Sequence, residues 1–210
     1  MKSLFERYPV LETIRTEIEA AYSVLYETFQ NGGRLYLCGN GGSAADGEHI
    51  VGELMKSFKI RRDVLPETAA ALRSYGPYGE ELAKGLERGL PAVSLNVHTA
   101  LSSAYINDRS AEMVYAQQLF VLAKRGDALL AISTSGNSKN CLYAAITAKA
   151  LGVRVIAMTG QSGGELAGLA DAAIKAPAKE TYLVQEYHLP IYHALCAKLE
   201  EDFFQTKQNQ

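Results

Sequence analysis

Two short segments combine glycine with hydroxyl or amide side chains: GNGGS at residues 39–43 and STSGNS at residues 133–138. Each follows a short apolar run and opens a stretch with helical periodicity. A turn of that kind leaves backbone N–H groups unpaired at the positive end of a helix dipole, which favours an anion. Hydroxyls at Ser133, Ser135 and Ser138 can donate to phosphate oxygens without supplying a fixed charge. A phosphorylated sugar suits this chemistry, although glycine and serine in such places also make ordinary turns and helix caps. Neither segment has the GxGxxG or GxxxxGK(S/T) spacing, which demotes dinucleotide and triphosphate chemistry.

His49 and Glu53 stand four apart on the helix that GNGGS opens, so their side chains stack one turn from each other. That spacing suits metal ligation or acid/base work, and equally an incidental pair on a solvated face. Late in the chain, QEYHLPIYH sets Gln185, Glu186, His188 and His193 on one helix. Gln185 and His193 fall roughly 80° apart about the axis, near enough to point into one pocket two turns long. His188 lies on the other side of Gln185, and Pro190 should bend the helix by removing a hydrogen bond. Cys38, Cys141 and Cys196 form no CxxC pair, so they read as buried thiols in a reducing compartment and exclude a cysteine zinc cluster. His98 reads as a hydrogen-bonded loop histidine.

These residues need elements to hold them. Leu11, Ile14, Ile18, Tyr22, Leu25 and Phe29 step by three or four and predict a first helix that stops at Asn31-Gly32-Gly33. RLYLC, ALLAIS, VRVIAMTG and DAAIKAP read as buried strands, each followed by a turn and a helical segment. Strands alternating with helices imply a parallel sheet covered on both sides by right-handed crossovers. Residues 60–90 turn charged and glycine-spotted, and predict a helical excursion over one edge, not a second domain. The tail TKQNQ reads as disordered.

At 210 residues and 48% hydrophobic, the chain can bury a core of its own. With 21 Lys+Arg against 23 Asp+Glu, the net charge of −2 carries no nucleic-acid or membrane-surface footprint. No apolar run reaches about 18 residues and no secretory h-region opens the chain, so a cytoplasmic location is expected.

Taken together, CGNGGSAADGEHIVGEL, IND, AISTSGNSKN, VIAMTG and QEYHLPIYH resemble the sugar isomerase (SIS) phosphosugar-binding family, and within it the sedoheptulose 7-phosphate isomerases, also called phosphoheptose isomerases. The likeness runs from the first helix to Phe204, while STSGNS alone would indicate only the wider fold. It implies an α/β fold, a three-layer αβα sandwich with a mainly parallel sheet flanked by N- and C-terminal helices, as one domain over residues 1–210. By resemblance Asn40, Gly41, Gly42 and Ser43 form the first substrate loop, Asn107 and Asp108 an Asn-Asp pair beside the sugar, and Ser133, Thr134, Ser135 and Ser138 the phosphate cradle. His49, Glu53, Gln185 and His193 match four zinc-ligand positions, with Glu53 and Gln185 also counted among substrate contacts. Glu53 and His193 further match a proton-transfer pair.

The implied reaction is ketose–aldose isomerisation of a phosphosugar, and the implied assembly is a homotetramer with sites at subunit boundaries. The broad apolar faces of the first and last helices agree with an oligomer. Two other readings stay open: an isomerase of a different phosphosugar, and a non-catalytic SIS-fold regulatory protein. The polar set His49, Glu53, Gln185 and His193 favours a catalyst, since a scaffold has little reason to keep it. The chain departs from the family pattern in the longer stretch Ile60 to Leu90, in Tyr182 where an aspartate is expected, and in Pro190, and these bear on which sugar is bound.

Overall fold

The computed structural model describes residues 1–205; the tail TKQNQ lies outside the described residues. Its helices are α1 (Lys2–Arg7), α2 (Arg15–Gln30), α3 (Gly42–Met55), α4 (Pro66–Arg73), α5 (Pro77–Gly85), α6 (Thr99–Asp108), α7 (Val114–Leu122), α8 (Lys139–Ala150), α9 (Gly164–Leu169) and α10 (Thr181–Phe204). The strands are β1 (Leu35–Gly39), β2 (Ala92–Ser94), β3 (Ala128–Ile132), β4 (Arg154–Gly160) and β5 (Ala172–Ala176). They form one parallel sheet in the order β2-β1-β3-β4-β5.

Successive side chains on a strand point to opposite faces, and here both faces are apolar. Leu35, Leu37, Leu130, Ile132, Ile156 and Met158 pack with α2, α3 and α10. Tyr36, Cys38, Leu129, Ala131, Val155 and Ala157 pack with α7, α8 and α9. The expected three-layer sandwich follows. All three cysteines are free and buried.

The strand order reverses between β1 and β3. Helix α3 leaves β1 to cover one face, and α8 leaves β3 to cover the other. Where neighbouring strands send their chains to opposite faces, a crevice opens at their C-terminal ends.

Two elements depart from the sequence expectation. The helix expected from Leu11 begins only at Arg15, as α2, because Pro9 opens a 3-10 turn over Pro9–Ile14 that already buries Leu11 and Ile14. Strand β2 is only three residues long, too short for a period-two pattern to show. Helix α10 runs unbroken through Pro190, which is buried within it. The stretch between β1 and β2 is helical as expected: α4 and α5 pack chiefly on each other. Their hairpin closes at an antiparallel bridge between Asp63 and Glu87.

Candidate active site

Gly39 at the end of β1 is the register partner of Ile132 at the end of β3, so the GNGGS and STSGNS loops leave the sheet side by side. They are tied directly. Asn40 Nδ2 donates to Asn140 Oδ1 at 3.0 Å, and Asn140 Nδ2 donates back to Asn40 Oδ1 at 2.8 Å. Behind the first loop, the Gly39 carbonyl accepts from Tyr115 Oη at 2.7 Å and from Asn96 Nδ2 at 2.9 Å. Gly41 takes φ 54°, a left-handed conformation that favours glycine. At Gly42 the missing Cβ makes room for the Gln185 amide, which brings α10 against the start of α3.

In the second loop the Ser133 hydroxyl donates to Ser138 Oγ at 3.0 Å, and Ser135 Oγ accepts from the Asn137 backbone at 3.1 Å. The Thr134 carbonyl accepts from Gly160 N at 2.9 Å. Gly136 takes φ 69°, and a Cβ there would strike the backbone of Gly163. No side chain at Ser138 caps the start of α8, so the positive end of that helix faces the crevice beside a row of hydroxyls.

Helices α3 and α10 lie side by side and run the same way: Gln185 meets Gly42, Tyr192 meets Asp46 and His49, and Glu200 meets Phe58. Partway along, His49 Nε2 lies 3.1 Å from Glu53 Oε1, and His49 Nδ1 lies 3.0 Å from Tyr192 Oη. The His193 ring sits edge-on to His49 with centroids 5.0 Å apart and tilts against Phe58 at 5.6 Å. Burial, and then the charge of His49, push the His193 imidazole below its ordinary range, with Glu53 opposing them. Glu53 Oε2 is buried without a hydrogen-bond partner among the described residues, Lys56 Nζ standing 3.7 Å away.

Below this group, the Arg62–Glu200 ion pair is fully buried. The Arg62 fork also donates to the carbonyls of Leu54 at 2.6 Å and Glu53 at 2.9 Å, capping the end of α3. Glu200 accepts from the backbone of Phe58 and Lys59 at 2.8 and 2.7 Å. The helix carrying Glu53 is thus locked to the helix carrying His193.

The structure therefore brings His49, Glu53 and His193 together, and brings Asn40 together with the serine loop through Asn140. Gln185 stands at Gly42, eight residues or about 12 Å of helix from His193. Asn107 and Asp108 end α6, exposed, and hydrogen-bond to each other rather than to either loop. Imidazole and carboxylate are the donor types that zinc takes, and an orphaned buried carboxylate oxygen is the kind of atom a cation satisfies. Among the described residues, however, no three His, Cys, Asp or Glu side chains already form a metal-holding group. Asn140, Tyr192, Asp46, Tyr115 and Arg62 escaped the sequence reading, because each works through a partner distant in the chain. His98 does bond within its surroundings, its Nδ1 lying 2.6 Å from Gln118 Oε1.

A model of the SIS domain matches residues 2–88 and 81–160. A phosphoheptose isomerase of Nitratiruptor sp. is 39% identical over 92% of this chain and 90% of its own length. One from Geotalea daltonii is 37% identical over 93% of this chain and 91% of its own. Among solved structures, the phosphoheptose isomerase of Neisseria gonorrhoeae superposes with a TM-score of 0.74 at 28% identity, covering 95% of this chain and 94% of that one. Sequence, strand order and the paired loops thus agree, and the chain belongs to the SIS-domain family, among the phosphoheptose isomerases.

Proposed function

We propose that this chain is a phosphosugar isomerase that interconverts sedoheptulose 7-phosphate and D-glycero-D-manno-heptose 7-phosphate through an enediol. Its relatives carry the name phosphoheptose isomerase over nearly their whole length. The observation that carries the reading at the level of chemistry is the convergence of Glu53 and His193 around His49, from helices far apart in the sequence. Isomerisation moves one proton between C1 and C2 and another between the two oxygens, which takes a base and an acid within hydrogen-bond reach. Glu53 and His193 share those roles. A neutral imidazole suits proton exchange near pH 7, and burial of His193 favours that form.

The serine loop, with Ser133, Thr134, Ser135 and Ser138, holds the phosphate and fixes the register of the carbon chain. Asn40, Gly41, Gly42, Ser43 and Gln185 contact the sugar, and Asn107 and Asp108 do so from α6. His49, Glu53, Gln185 and His193 would hold a zinc ion, whose contribution when bound is Lewis-acid polarisation of the carbonyl. Glu53 lies eleven residues beyond Gly42, about 16 Å along the helix. That separation supports a site completed between subunits of a homotetramer. The two stretches that match the SIS model meet near the end of α5, which supports a single SIS domain over residues 1–210 carrying the excursion at 60–90 as an insert. The net charge of −2 agrees with a cytoplasmic protein that binds neither nucleic acid nor membranes, and among the described residues no helix is long and apolar enough to cross a membrane.

Incubation with sedoheptulose 7-phosphate should yield the aldose. Glu53→Gln should lower turnover at least about 100-fold while leaving the denaturation midpoint in place. Near-normal turnover would remove Glu53 from the mechanism, and turnover confined to another phosphosugar would reassign the substrate. Chelation followed by metal analysis tests the zinc ligands separately.

A further inference from the structure

Behind His49 lies a buried polar chain that the proposed reaction does not itself require. Tyr192 is 2% exposed, and its hydroxyl lies 3.0 Å from His49 Nδ1 and 3.3 Å from Asp46 Oδ1. Asp46 and His49 are three residues apart on α3 and share the face that meets α10. The other carboxylate oxygen, Asp46 Oδ2, is buried with no hydrogen-bond partner among the described residues. Tyr192 Oη is therefore the hydrogen-bond partner this carboxylate has.

A hydroxyl owns one proton and can accept through its lone pairs, whereas a carboxylate can only accept. The Tyr192 proton points to Asp46, because two acceptors facing each other there would be buried, whereas the Nε2 edge of His49, a side chain 44% exposed, stays open to solvent. The Tyr192 oxygen then accepts from His49, which has to carry its proton on Nδ1. A neutral His49 in that tautomer turns a bare Nε2 lone pair toward Glu53 Oε1, 3.1 Å away. Two acceptors facing each other attract whatever brings a proton or a positive charge between them, such as a substrate hydroxyl or a cation.

Resting on the reading of His49 and Glu53 as part of the working site, we infer that Tyr192 and Asp46 are positioning residues that hold His49 in its Nδ1–H tautomer. They keep its Nε2 and the Glu53 carboxylate as a paired acceptor edge. Neither touches the reacting atoms; both act through His49. Partners one step removed from a ligating or catalytic histidine set which nitrogen is free, and their loss typically costs 10- to 100-fold in metal affinity or activity.

The test is a nitrogen-15 correlation spectrum of the histidine side chains in the full-length, metal-free protein above pH 8, with His49 assigned by its loss in His49→Gln. The wild type should show a protonated Nδ1 and an unprotonated Nε2. Tyr192→Phe keeps the ring and removes only the hydroxyl, and should move the proton to Nε2, where Glu53 can accept it. Asp46→Ala should produce the same exchange with Tyr192 still present, because the hydroxyl is then free to donate to Nδ1. A change of packing alone would not move that proton. An Nε2–H tautomer in the wild type, or an Nδ1–H tautomer that survives both substitutions, overturns the assignment. Turnover of sedoheptulose 7-phosphate is read in parallel: Tyr192→Phe should lower kcat 10- to 100-fold with little change in KM. A wild type that shows the Nδ1–H tautomer yet isomerises no phosphosugar would sink the proposed activity and leave the tautomer assignment standing.

Discussion

His188 shows how much a single side chain can weigh when it is buried without a function in the site. It sits on α10, is fully buried, and donates from Nε2 to the Thr159 carbonyl at 3.2 Å. Its Nδ1 is buried without a hydrogen-bond partner among the described residues. Burial pushes the imidazole down to about 4 from an ordinary 6.5, the bond to Thr159 opposing it only in part. Between those values the unfolded chain binds a proton that the folded chain refuses. Stability therefore falls as pH drops from 6.5 toward 4, by about 3 kcal/mol from this residue alone. His188→Gln can keep the donated hydrogen bond but does not titrate. Urea midpoints measured between pH 4 and 7 should fall less steeply for the variant than for the wild type. Parallel slopes would show that His188 takes up its proton without disturbing the fold. His193, on the same helix but only partly buried, is also pushed below its ordinary range, by burial first and then by the charge of His49.

At the scale of elements, α3 and α10 share a buried ion pair whose parts cannot be removed singly. Arg62→Met would leave the Glu200 carboxylate buried without its cation and the last carbonyls of α3 uncapped, a loss of about 3–5 kcal/mol. In Arg62→Met/Glu200→Met the charge penalty disappears and apolar packing replaces it. Part of the loss should remain, since the Phe58 and Lys59 N–H groups lose their acceptor at about 1 kcal/mol or more each. Denaturant titration should place the double variant between wild type and Arg62→Met; a double variant no better than the single one would mean that Arg62 acts mainly as the α3 cap. None of this was legible beforehand, because Arg62 lies in a charged stretch and Glu200 in a run of acidic residues, and sequence cannot pair positions so far apart. What could be read was local. The glycine turns, the HxxxE spacing and the alternation of strand with helix are each complete within a few residues. The unread elements failed for matching reasons: β2 is too short to show a period, and the 3-10 turn at Pro9–Ile14 keeps apolar spacing close to that of a helix.

For the whole molecule, the hairpin of α4 and α5 contributes little to the core. Among its helices only Ala69 and Gly79 are buried, while Tyr75, Tyr78, Leu82 and Leu86 are exposed. The Asp63–Glu87 bridge already holds its two ends together. Replacing residues 65–85 by a two-residue turn should therefore leave the melting temperature within a few degrees; a collapse of the fold would show that the hairpin covers the core. The site makes the larger demand. One chain offers the proposed anion cradle in the serine loop before α8, while the proposed acid/base pair lies toward the end of α3, about 16 Å along that helix from the Gly42 loop that flanks the cradle. If a neighbouring copy supplies the missing half, two inactive variants should repair each other. Glu53→Gln keeps the cradle, and Ser133→Ala/Ser135→Ala keeps the acid/base pair. Mixed in equal amounts and allowed to exchange subunits, they should recover about a quarter of wild-type turnover, because a site joining two copies at random is intact with that frequency. If each chain closes its own site, no mixture can exceed the activity of its parts, since every cradle and every carboxylate would remain paired with its own defect.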